Sequence, residues 1–267
     1  MNILFIGDIV GEPGRLAVQQ LLPDLRRELA LDFVIANGEN AAGGNGITPA
    51  IASELFAFGV DVLTSGDHLW DQKEVIHLLE KERRFLRPMN YPDGTPGFGL
   101  GLYPVQNALS RSGKDVHVGV LNVQGRTFMQ PALNDPFSAA QAGVRQLLQQ
   151  TRVVFVDFHA EASSEKMAMG RHLDGQASAV VGTHTHVQTA DEQIFQGGTA
   201  FLTDAGFTGP HESVLGRKIQ PVIQRFLTAM PQRFEVAREG VKLLGVCVSV
   251  DVQSGHATAI QRISKAL

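Results

Sequence analysis

Apolar residues in the first third of the chain occur in two alternating patterns. Short apolar runs are predicted to be buried strands at residues 3–6, 33–36 and 60–63. Between and after them, apolar residues recur at helical spacing, which predicts helices over residues 13–30, 48–58 and 71–83. Thr48 is a suitable N-cap, and Pro49 follows it at the first helical position. The alternating order of strands and helices predicts a parallel sheet with right-handed crossovers.

The rest of the chain predicts further elements in a less regular order. Strands are predicted at residues 102–108, 116–122, 153–156, 179–181, 199–202, 233–236, 243–250 and 256–263. Helices are predicted at residues 136–150 and 164–173. The segment 92–101 is rich in glycine and proline, which indicates a loop. Because no segment reads as an interdomain linker or an internal repeat, we expect one α/β domain over residues 1–267, with mixed or antiparallel strands in its second half.

The amino-acid composition indicates a globular protein and disfavours strong binding of nucleic acid. Of the 267 residues, 43% are hydrophobic and 19% are charged, which is typical of a globular protein with a sizeable core. The formal net charge is −4 without a dense run of Lys or Arg, so strong nucleic-acid binding is not expected. The single cysteine, Cys247, excludes a disulfide within this chain, and its apolar neighbours indicate a core position.

The N-terminal segment M-N-I-L-F-I-G-D is apolar, but it lacks basic residues and Asp8 interrupts it. We interpret this segment as a buried strand and not as a secretory signal. The sequence has no run of about 18 apolar residues, so we expect no membrane span. A cytoplasmic protein is the prediction that follows.

Polar side chains that can bind ligands follow five of the predicted strands. Ligands bind beyond the carboxyl ends of the strands in open α/β sheets, so these positions are candidates for a site. The candidates are Asp8, Glu39, Asn40, Asp67, His68, His159, His184 and His186. Taken alone, Asp8 could cap a helix, Glu39 could belong to a turn and His159 could be a core residue. Their joint placement after five strands favours one shared site.

The chemistry of these side chains points to metal ions. Carboxylate, amide oxygen and imidazole are ligands of Mn, Fe, Zn and Mg. A closed structural zinc site is disfavoured because no thiolate takes part. Three carboxylates and three histidines exceed what one ion needs, which indicates two ions about 3.5–4 Å apart that share a carboxylate.

Six short motifs lie between residues 7 and 210. They are G-D-I-V-G at 7–11, N-G-E-N-A at 37–41, G-D-H-L-W-D at 66–71, F-H-A-E-A-S-S-E-K at 158–166, G-T-H-T-H-V-Q-T-A-D at 182–191 and T-D-A-G-F-T-G-P at 203–210. In this order they resemble the bacterial YmdB-like branch of the calcineurin-like metallophosphoesterases. The C-terminal strands are consistent with that family but add no motif of their own.

The resemblance implies a four-layer α/β/β/α sandwich of mixed sheets with a two-metal centre at its edge. One ion would be bound by Asp8, Glu39, Asn40 and His186. The other would be bound by Glu39, Asp67, His159 and His184, so that Glu39 bridges the two. His68 would be the proton donor or would stabilise the transition state. Glu161, Asp191 and Asp204 are candidates to accept hydrogen bonds from the metal-binding imidazoles.

One residue departs from the family pattern. The YmdB-like branch usually has asparagine at the position of Asp67. A carboxylate there still binds a metal, but Asp8, Glu39 and Asp67 then place three negative charges against the four positive charges of two divalent ions. We hypothesise that this favours a more highly charged pair, such as one that contains ferric iron, or weakens Lewis acidity toward the substrate.

The resemblance implies hydrolysis of small phosphodiesters such as cyclic nucleotides, by attack of a hydroxide that bridges two metal ions. Fe and Mn are the favoured ions, with Mg and Zn as alternatives, and a homo-oligomer is expected. The alternatives are a phosphomonoesterase and a regulatory protein whose metal site has low activity and whose role is to bind a partner. Candidate contacts for the anionic substrate are Arg15, Arg126 and Arg171.

Overall fold

Two mixed β-sheets form the centre of the protein, in a computed structural model that describes residues 1–105 and 116–267. The strands of the described residues are β1 (Asn2–Ile6), β2 (Asp8–Ile9), β3 (Phe33–Asn37), β4 (Val62–Thr64), β5 (Leu100–Pro104), β6 (His117–Gln124), β7 (Val153–His159), β8 (Ala179–Thr183), β9 (Gln193–Ile194), β10 (Ala200–Leu202), β11 (Phe207–Pro210), β12 (Val241–Val250) and β13 (Ala257–Ala266). The helices are α1 (Gly11–Glu28), α2 (Pro49–Ala57), α3 (Val75–Lys81), α4 (Pro136–Leu147), α5 (Ser163–His172) and α6 (Ile219–Thr228).

The first sheet has the strand order β2-β11-β12-β1-β3-β4, with β13 paired to β12. Strands β1, β3 and β4 are parallel, as the alternation of strands and helices predicts, and β12 runs antiparallel to β1. The second sheet has the order β5-β6-β7-β8-β10-β9. Its central strands β6, β7, β8 and β10 are parallel, while β5 and β9 are antiparallel edge strands. Both sheets are therefore mixed.

Three layers of buried apolar side chains hold the four structural layers together. Alternate residues of β1 face opposite sides of the first sheet: Leu4 and Ile6 pack against α1 and α2, whereas Ile3 and Phe5 face the second sheet. Between the sheets, the rings of Phe5 and Phe155 stack with centroids 5.4 Å apart. On the far side, β6, β7 and β8 pack against α4 and α5. The predicted α/β/β/α arrangement of mixed sheets is thus confirmed.

Some predicted elements differ from the observed ones. The strand predicted at 233–236 is wrong, because these residues are irregular apart from one bridge between Val236 and Arg217. The helix predicted over 71–83 is shortened to α3, since residues 71–74 form bends and turns. Part of the strand predicted at 102–108 lies outside the described residues. Helix α6 was not predicted, although its apolar residues recur at helical spacing.

Helix α6 buries little of its apolar surface. Val222 is its buried residue, while the side chains of Phe226 and Leu227 are 84% and 74% exposed. None of the helices in the described residues is both long enough and apolar enough to cross a membrane.

The packing between the sheets predicts the effect of a large-to-small substitution. Phe155→Ala is expected to lower the free energy of unfolding by about 3–5 kcal/mol, because Phe155 is fully buried and stacks on Phe5. The control Phe226→Ala, on exposed α6, is expected to change it by less than about 0.5 kcal/mol. Urea unfolding of both variants measures the difference, and equal effects would contradict the assignment of Phe155 to the core.

Candidate metal centre

The predicted site residues meet where the carboxyl ends of strands from both sheets converge. The first sheet contributes acidic and amide side chains: Asp8 follows β1, Glu39 and Asn40 follow β3, and Asp67 follows β4. The second sheet contributes imidazoles: His159 is the last residue of β7, and His184 and His186 follow β8. Face-to-face packing of the sheets therefore brings carboxylates and imidazoles together.

Four of these residues form a tight cluster with the geometry of a metal site. Ligand atoms of Glu39, Asp67, His159 and His184 all lie within 4.8 Å of one another. The Nε2 atom of His159 is 2.9 Å from Asp67 Oδ1 and 3.1 Å from Glu39 Oε1. The Nδ1 atom of His184 is 3.2 Å from Asp67 Oδ1. This is the ligand set that the family resemblance implies for one of the two ions.

The second implied set surrounds Asp8 and shares Glu39 with the first. Asp8 is fully buried, and its Oδ1 atom has no hydrogen-bond partner among the described residues. That atom lies 4.0 Å from His186 Nε2. The Nδ2 atom of Asn40 lies 3.3 Å from Glu39 Oε1 and 3.4 Å from His186 Nε2. Rotation of this amide by about 180° would present its oxygen, the atom that binds metals.

An unpartnered, buried carboxylate oxygen is a candidate ligand for a cation, because such atoms in native proteins are almost always paired. Burial raises the pKa of Asp8 to about 7, although His159 opposes the shift and Glu39 adds to it. Burial also lowers the pKa of His186 to about 4, which favours the neutral imidazole that a metal requires. The residues around Glu39 therefore fit a metal site.

Each imidazole of the site is oriented by an acceptor on its outer side. Glu161 Oε2 lies 3.2 Å from His184 Nε2, and the carbonyl oxygen of Leu215 lies 3.3 Å from His186 Nδ1. These acceptors place the proton on the outer nitrogen and leave the lone pair of the inner nitrogen facing the cluster. Glu161 thus has the contact expected of it from the sequence, while Leu215 was not predicted.

His159 is oriented through a buried polar network that joins the two sheets. Its Nδ1 atom lies 2.9 Å from the hydroxyl oxygen of Thr183, which in turn donates to Asp157 at 2.7 Å. Asp157 also accepts hydrogen bonds from Thr64 and Asn37 of the first sheet. The network fixes the ring of His159 and ties β7 and β8 to β3 and β4 beneath the cluster.

The close approach of Gly66 explains why this position lacks a side chain. A Cβ atom there would lie 2.1 Å from Cδ2 of His159 and 2.4 Å from Oε2 of Glu39. Both distances are far below van der Waals contact. Any larger residue would push the imidazole or the carboxylate out of the cluster.

The backbone that carries His184 and His186 is strained. Their φ angles are +100° and +61°, in a region that residues with a side chain rarely adopt. Such conformations cost roughly 1–3 kcal/mol each and persist only where the surroundings impose them. Between them, Thr185 donates both its backbone N–H and its hydroxyl to Asp204 Oδ2, at 3.1 and 2.8 Å. Asp204 therefore holds the loop in its strained shape.

Asp204 is itself neutralised by a buried lysine. Lys166 Nζ donates to Asp204 Oδ2 at 2.6 Å, and both residues are almost completely buried. Asp204 was predicted to accept from an imidazole, but it acts on the backbone of the histidine loop instead. Asp191, the other candidate, accepts from the backbone N–H and hydroxyl of Thr203 at the end of β10.

His68 lies beside the cluster without belonging to it. Its Nδ1 atom is 2.8 Å from Asp71 Oδ2, and its backbone N–H donates to Glu39 Oε2 at 3.3 Å. Burial acts to lower the pKa of His68, but the carboxylates of Glu39, Asp67 and Asp71 together outweigh it, and the pKa is raised above its ordinary value. Because Asp71 orients the ring through Nδ1, Nε2 is left to face the cavity.

An open cavity of about 370 Å³ adjoins the cluster. It is lined by Glu39, Asn40, His68, Glu161, His184, Thr185, His186, Leu215 and Arg217.

The arginines predicted to contact an anion do not line this cavity. Arg15 pairs with Glu54 at 2.9 Å, Arg126 pairs with Asp135 at 3.4 Å, and Arg171 lies over the ring of Phe195. Arg217 was missed because no motif surrounds it in the sequence.

The facing mixed sheets and the carboxylate–imidazole cluster at their edge define a protein of the metallophosphoesterase type. Residues 4–263 match the model of the family described as YmdB-like protein, and the chain belongs to this family. The chain is 46% identical over 263 residues to the 2',3'-cyclic-nucleotide 2'-phosphodiesterase of Bacillus subtilis, across 98% of this chain and 96% of that enzyme.

Two solved structures share the complete fold. A hypothetical protein of Thermus thermophilus has a TM-score of 0.89 and 42% identity, covering 100% of this chain and 99% of that one. A phosphatase of Mycoplasma pneumoniae has a TM-score of 0.91 and 29% identity, covering 100% of this chain and 93% of that one. The similarity extends over the entire length of the chain in both cases.

Substitutions in the buried pair of Lys166 and Asp204 are expected to change the free energy of unfolding and the affinity for Mn²⁺ in different ways. Lys166→Met leaves Asp204 buried without its cation, so the free energy of unfolding is expected to fall by about 3–5 kcal/mol. The double variant with Asp204→Leu removes both charges and should regain part of that loss. It should nevertheless bind Mn²⁺ more weakly than the single variant, because Thr185 no longer has its acceptor.

Unfolding by urea in the presence of a chelator, together with calorimetric titration of Mn²⁺, measures both effects. The control is Lys265→Met, which breaks an exposed pair with Glu28 and should cost less than about 1 kcal/mol. A double variant that binds Mn²⁺ as tightly as the unmodified protein would show that Asp204 does not position the histidine loop.

Proposed function

We propose that this protein hydrolyses small phosphodiesters, with cyclic nucleotides as the substrate class, by means of two metal ions. The observation that carries the proposal is the buried cluster around Glu39, next to the unpartnered Oδ1 atom of Asp8. The membership of the chain in the YmdB-like family supports the same conclusion. So does its similarity to an enzyme named as a 2',3'-cyclic-nucleotide 2'-phosphodiesterase.

The ligands of the two ions would divide around Glu39. Asp8, Asn40 and His186 would hold one ion, Asp67, His159 and His184 the other, and Glu39 would contact both. Bound ions of this kind supply a nucleophilic hydroxide at neutral pH and neutralise charge on the phosphate oxygens. Iron and manganese suit the mixture of imidazole and carboxylate ligands, and no thiolate takes part.

The residues of the chain have separate tasks in this proposal. His68 faces the cavity and gives its proton to the leaving alkoxide, a contribution of roughly 10²–10⁴-fold. Asp71 holds the imidazole of His68 by its Nδ1 atom, so that the proton is delivered from Nε2. Glu161, Thr183 and the carbonyl group of Leu215 keep the metal-binding imidazoles in place.

Two rival functions make different predictions. A phosphomonoesterase would prefer a substrate with a terminal phosphate. A regulatory protein would need the metal site only for its shape. His68 favours catalysis over the second rival, because a structural metal site does not need a separate proton donor in contact with the substrate cavity.

The proposal is tested by assays on the metal-loaded protein with 2',3'-cyclic AMP, 3',5'-cyclic AMP and p-nitrophenyl phosphate. We expect metal-dependent hydrolysis of a cyclic diester, with the products separated by chromatography to show which ester bond is cut. Hydrolysis of the monoester alone would identify a phosphomonoesterase. A protein that binds metals and cleaves none of the three would favour the regulatory alternative.

Substitution of His68 tests its proposed role. His68→Ala is expected to lower kcat for a phosphodiester by roughly 10²–10⁴-fold, because the leaving group then departs without a proton donor. Its metal content should match that of the unmodified protein, since His68 is not among the proposed ligands. Elemental analysis and initial rates measure the two quantities, and unchanged turnover would rule out His68 as the donor.

Substitution of Asp67 tests how the negative charge of the ligands affects the choice of metal and turnover. Burial acts to raise the pKa of its carboxyl group, but the contacts of Oδ1 with His159 and His184 together outweigh burial and hold that pKa well below its usual range. Asp67→Asn removes one negative charge. When the protein is loaded from a solution with equal amounts of iron and manganese, the ratio of the two bound metals is expected to shift, or turnover is expected to change. Unchanged metal content together with unchanged turnover would refute the hypothesis.

A further inference from the structure

Arg217 differs from the other residues that line the site cavity because it is a permanent cation. Among the residues that the structure describes, it is the one lysine or arginine in the lining, beside Glu39, His68 and His184. It is half-buried, and burial lowers its pKa from the ordinary value, but a guanidinium group stays protonated in proteins. A positive charge is therefore fixed at the wall of the cavity.

The guanidinium of Arg217 contacts neutral acceptors. Its Nη2 atom donates to the carbonyl oxygen of Gly44 at 2.6 Å and to the side-chain oxygen of Asn45. Its Nη1 atom donates to the carbonyl oxygens of Gly43 and Phe234, both at 3.4 Å. No carboxylate pairs with it among the described residues, and its Nε–H has no partner there. By contrast, neighbouring Lys218 forms an ion pair with Glu235 at 2.5 Å.

A tight hairpin holds Arg217 in this position. Val214 and Arg217 exchange two backbone hydrogen bonds, at 2.9 and 3.0 Å. The two residues between them, Leu215 and Gly216, have φ angles of +50° and +90°, as in the type I′ turns of two-residue hairpins. Because the carbonyl group of Leu215 also accepts from His186, the same turn sets the positions of a predicted metal ligand and of the arginine.

The loop at Gly44 is shaped to admit the guanidinium. Gly44 has a φ angle of +93°, and a Cβ atom there would lie 2.4 Å from Arg217 Nη1. The loop that follows Asn40 therefore leaves a gap at this glycine, and the arginine fills it. The hairpin and residues 43–45 therefore fix the position of Arg217 from two sides.

From this geometry we propose that Arg217 binds a non-bridging oxygen of the phosphate group of the substrate. The inference rests on the proposed function and deepens it, because it assigns a protein contact to the anion in addition to the ions. A fixed guanidinium with a free donor is suited to phosphate, which it recognises by charge-assisted hydrogen bonds.

The test uses inorganic phosphate as the probe, on protein loaded with Mn²⁺. Calorimetry is expected to show that Arg217→Met binds phosphate roughly 10- to 100-fold more weakly, the range of one lost hydrogen bond to a charged group. KM for bis(p-nitrophenyl) phosphate should rise, while the content of Mn²⁺ stays the same. Arg217→Lys should recover part of the affinity, because it keeps the charge but not the planar fork.

The control is Arg262→Met, which removes an arginine paired with Glu192 on the exposed strand β13 and should bind phosphate like the unmodified protein. Phosphate affinity that is unchanged in Arg217→Met would overturn the proposal. A parallel loss of Mn²⁺ would also overturn the proposal, because Arg217 would then serve only to hold the hairpin against residues 43–45.

The role of Arg217 and the proposed hydrolysis are distinguished by different results. If the unmodified protein cleaves no diester but its phosphate affinity still depends on Arg217, the anion contact stands and the proposed function is wrong. If the unmodified protein and Arg217→Met cleave the diester with equal KM and bind phosphate with equal affinity, the function stands and the role of Arg217 is wrong.

Discussion

The burial of negative charge at the junction of the two sheets is the constraint on which the site depends. Asp8 and Glu39 are almost completely buried, and Asp67 is largely so. Carboxylates removed from water cost several kcal/mol each unless cations or hydrogen bonds compensate them. Without a cation, burial raises the pKa of Asp8 to about 7, against the opposing effect of His159. Metal binding and the stability of this edge are therefore expected to be coupled.

The architecture explains how the ligand chemistry is divided. The first sheet ends in carboxylates and an amide, and the second sheet ends in imidazoles, so the mixed ligand set exists only where the sheets pack together. Apolar packing between the sheets, such as the stack of Phe5 on Phe155, is thus part of what builds the site. The network of Asp157 with Thr64 and Thr183 fixes the two sheets relative to each other directly beneath it.

The imidazole side of the site requires a strained backbone, and the surrounding residues are arranged to hold it. His184 and His186 have positive φ angles, and Thr185 between them is anchored on Asp204. The charge of Asp204 is balanced by Lys166 in a region closed to water. Because Leu215 holds His186 from the other side, the loop has little freedom to relax when an ion binds or leaves.

Much of this arrangement could be predicted from local patterns, and some of it could not. The parallel strands and the site residues that follow them are visible in the sequence, because strand periodicity and the position of a strand end are local properties. The four-layer sandwich rested on the family resemblance, since periodicity does not tell one large sheet from two. The pair of Lys166 and Asp204 and the contacts of Arg217 with residues 43–45 join segments that are distant in the sequence, so no local pattern predicts these contacts. For α6, apolar spacing was present, but the prediction missed it.

We propose that these acids and imidazoles hold two ions that share Glu39. The most direct test is elemental analysis of protein loaded with Mn²⁺ or Fe²⁺ and freed of loosely bound metal, alongside hydrolysis of an artificial phosphodiester with and without a chelator. We expect about two ions per chain and turnover that disappears when they are removed. One ion or none, with no turnover under any metal, would contradict it.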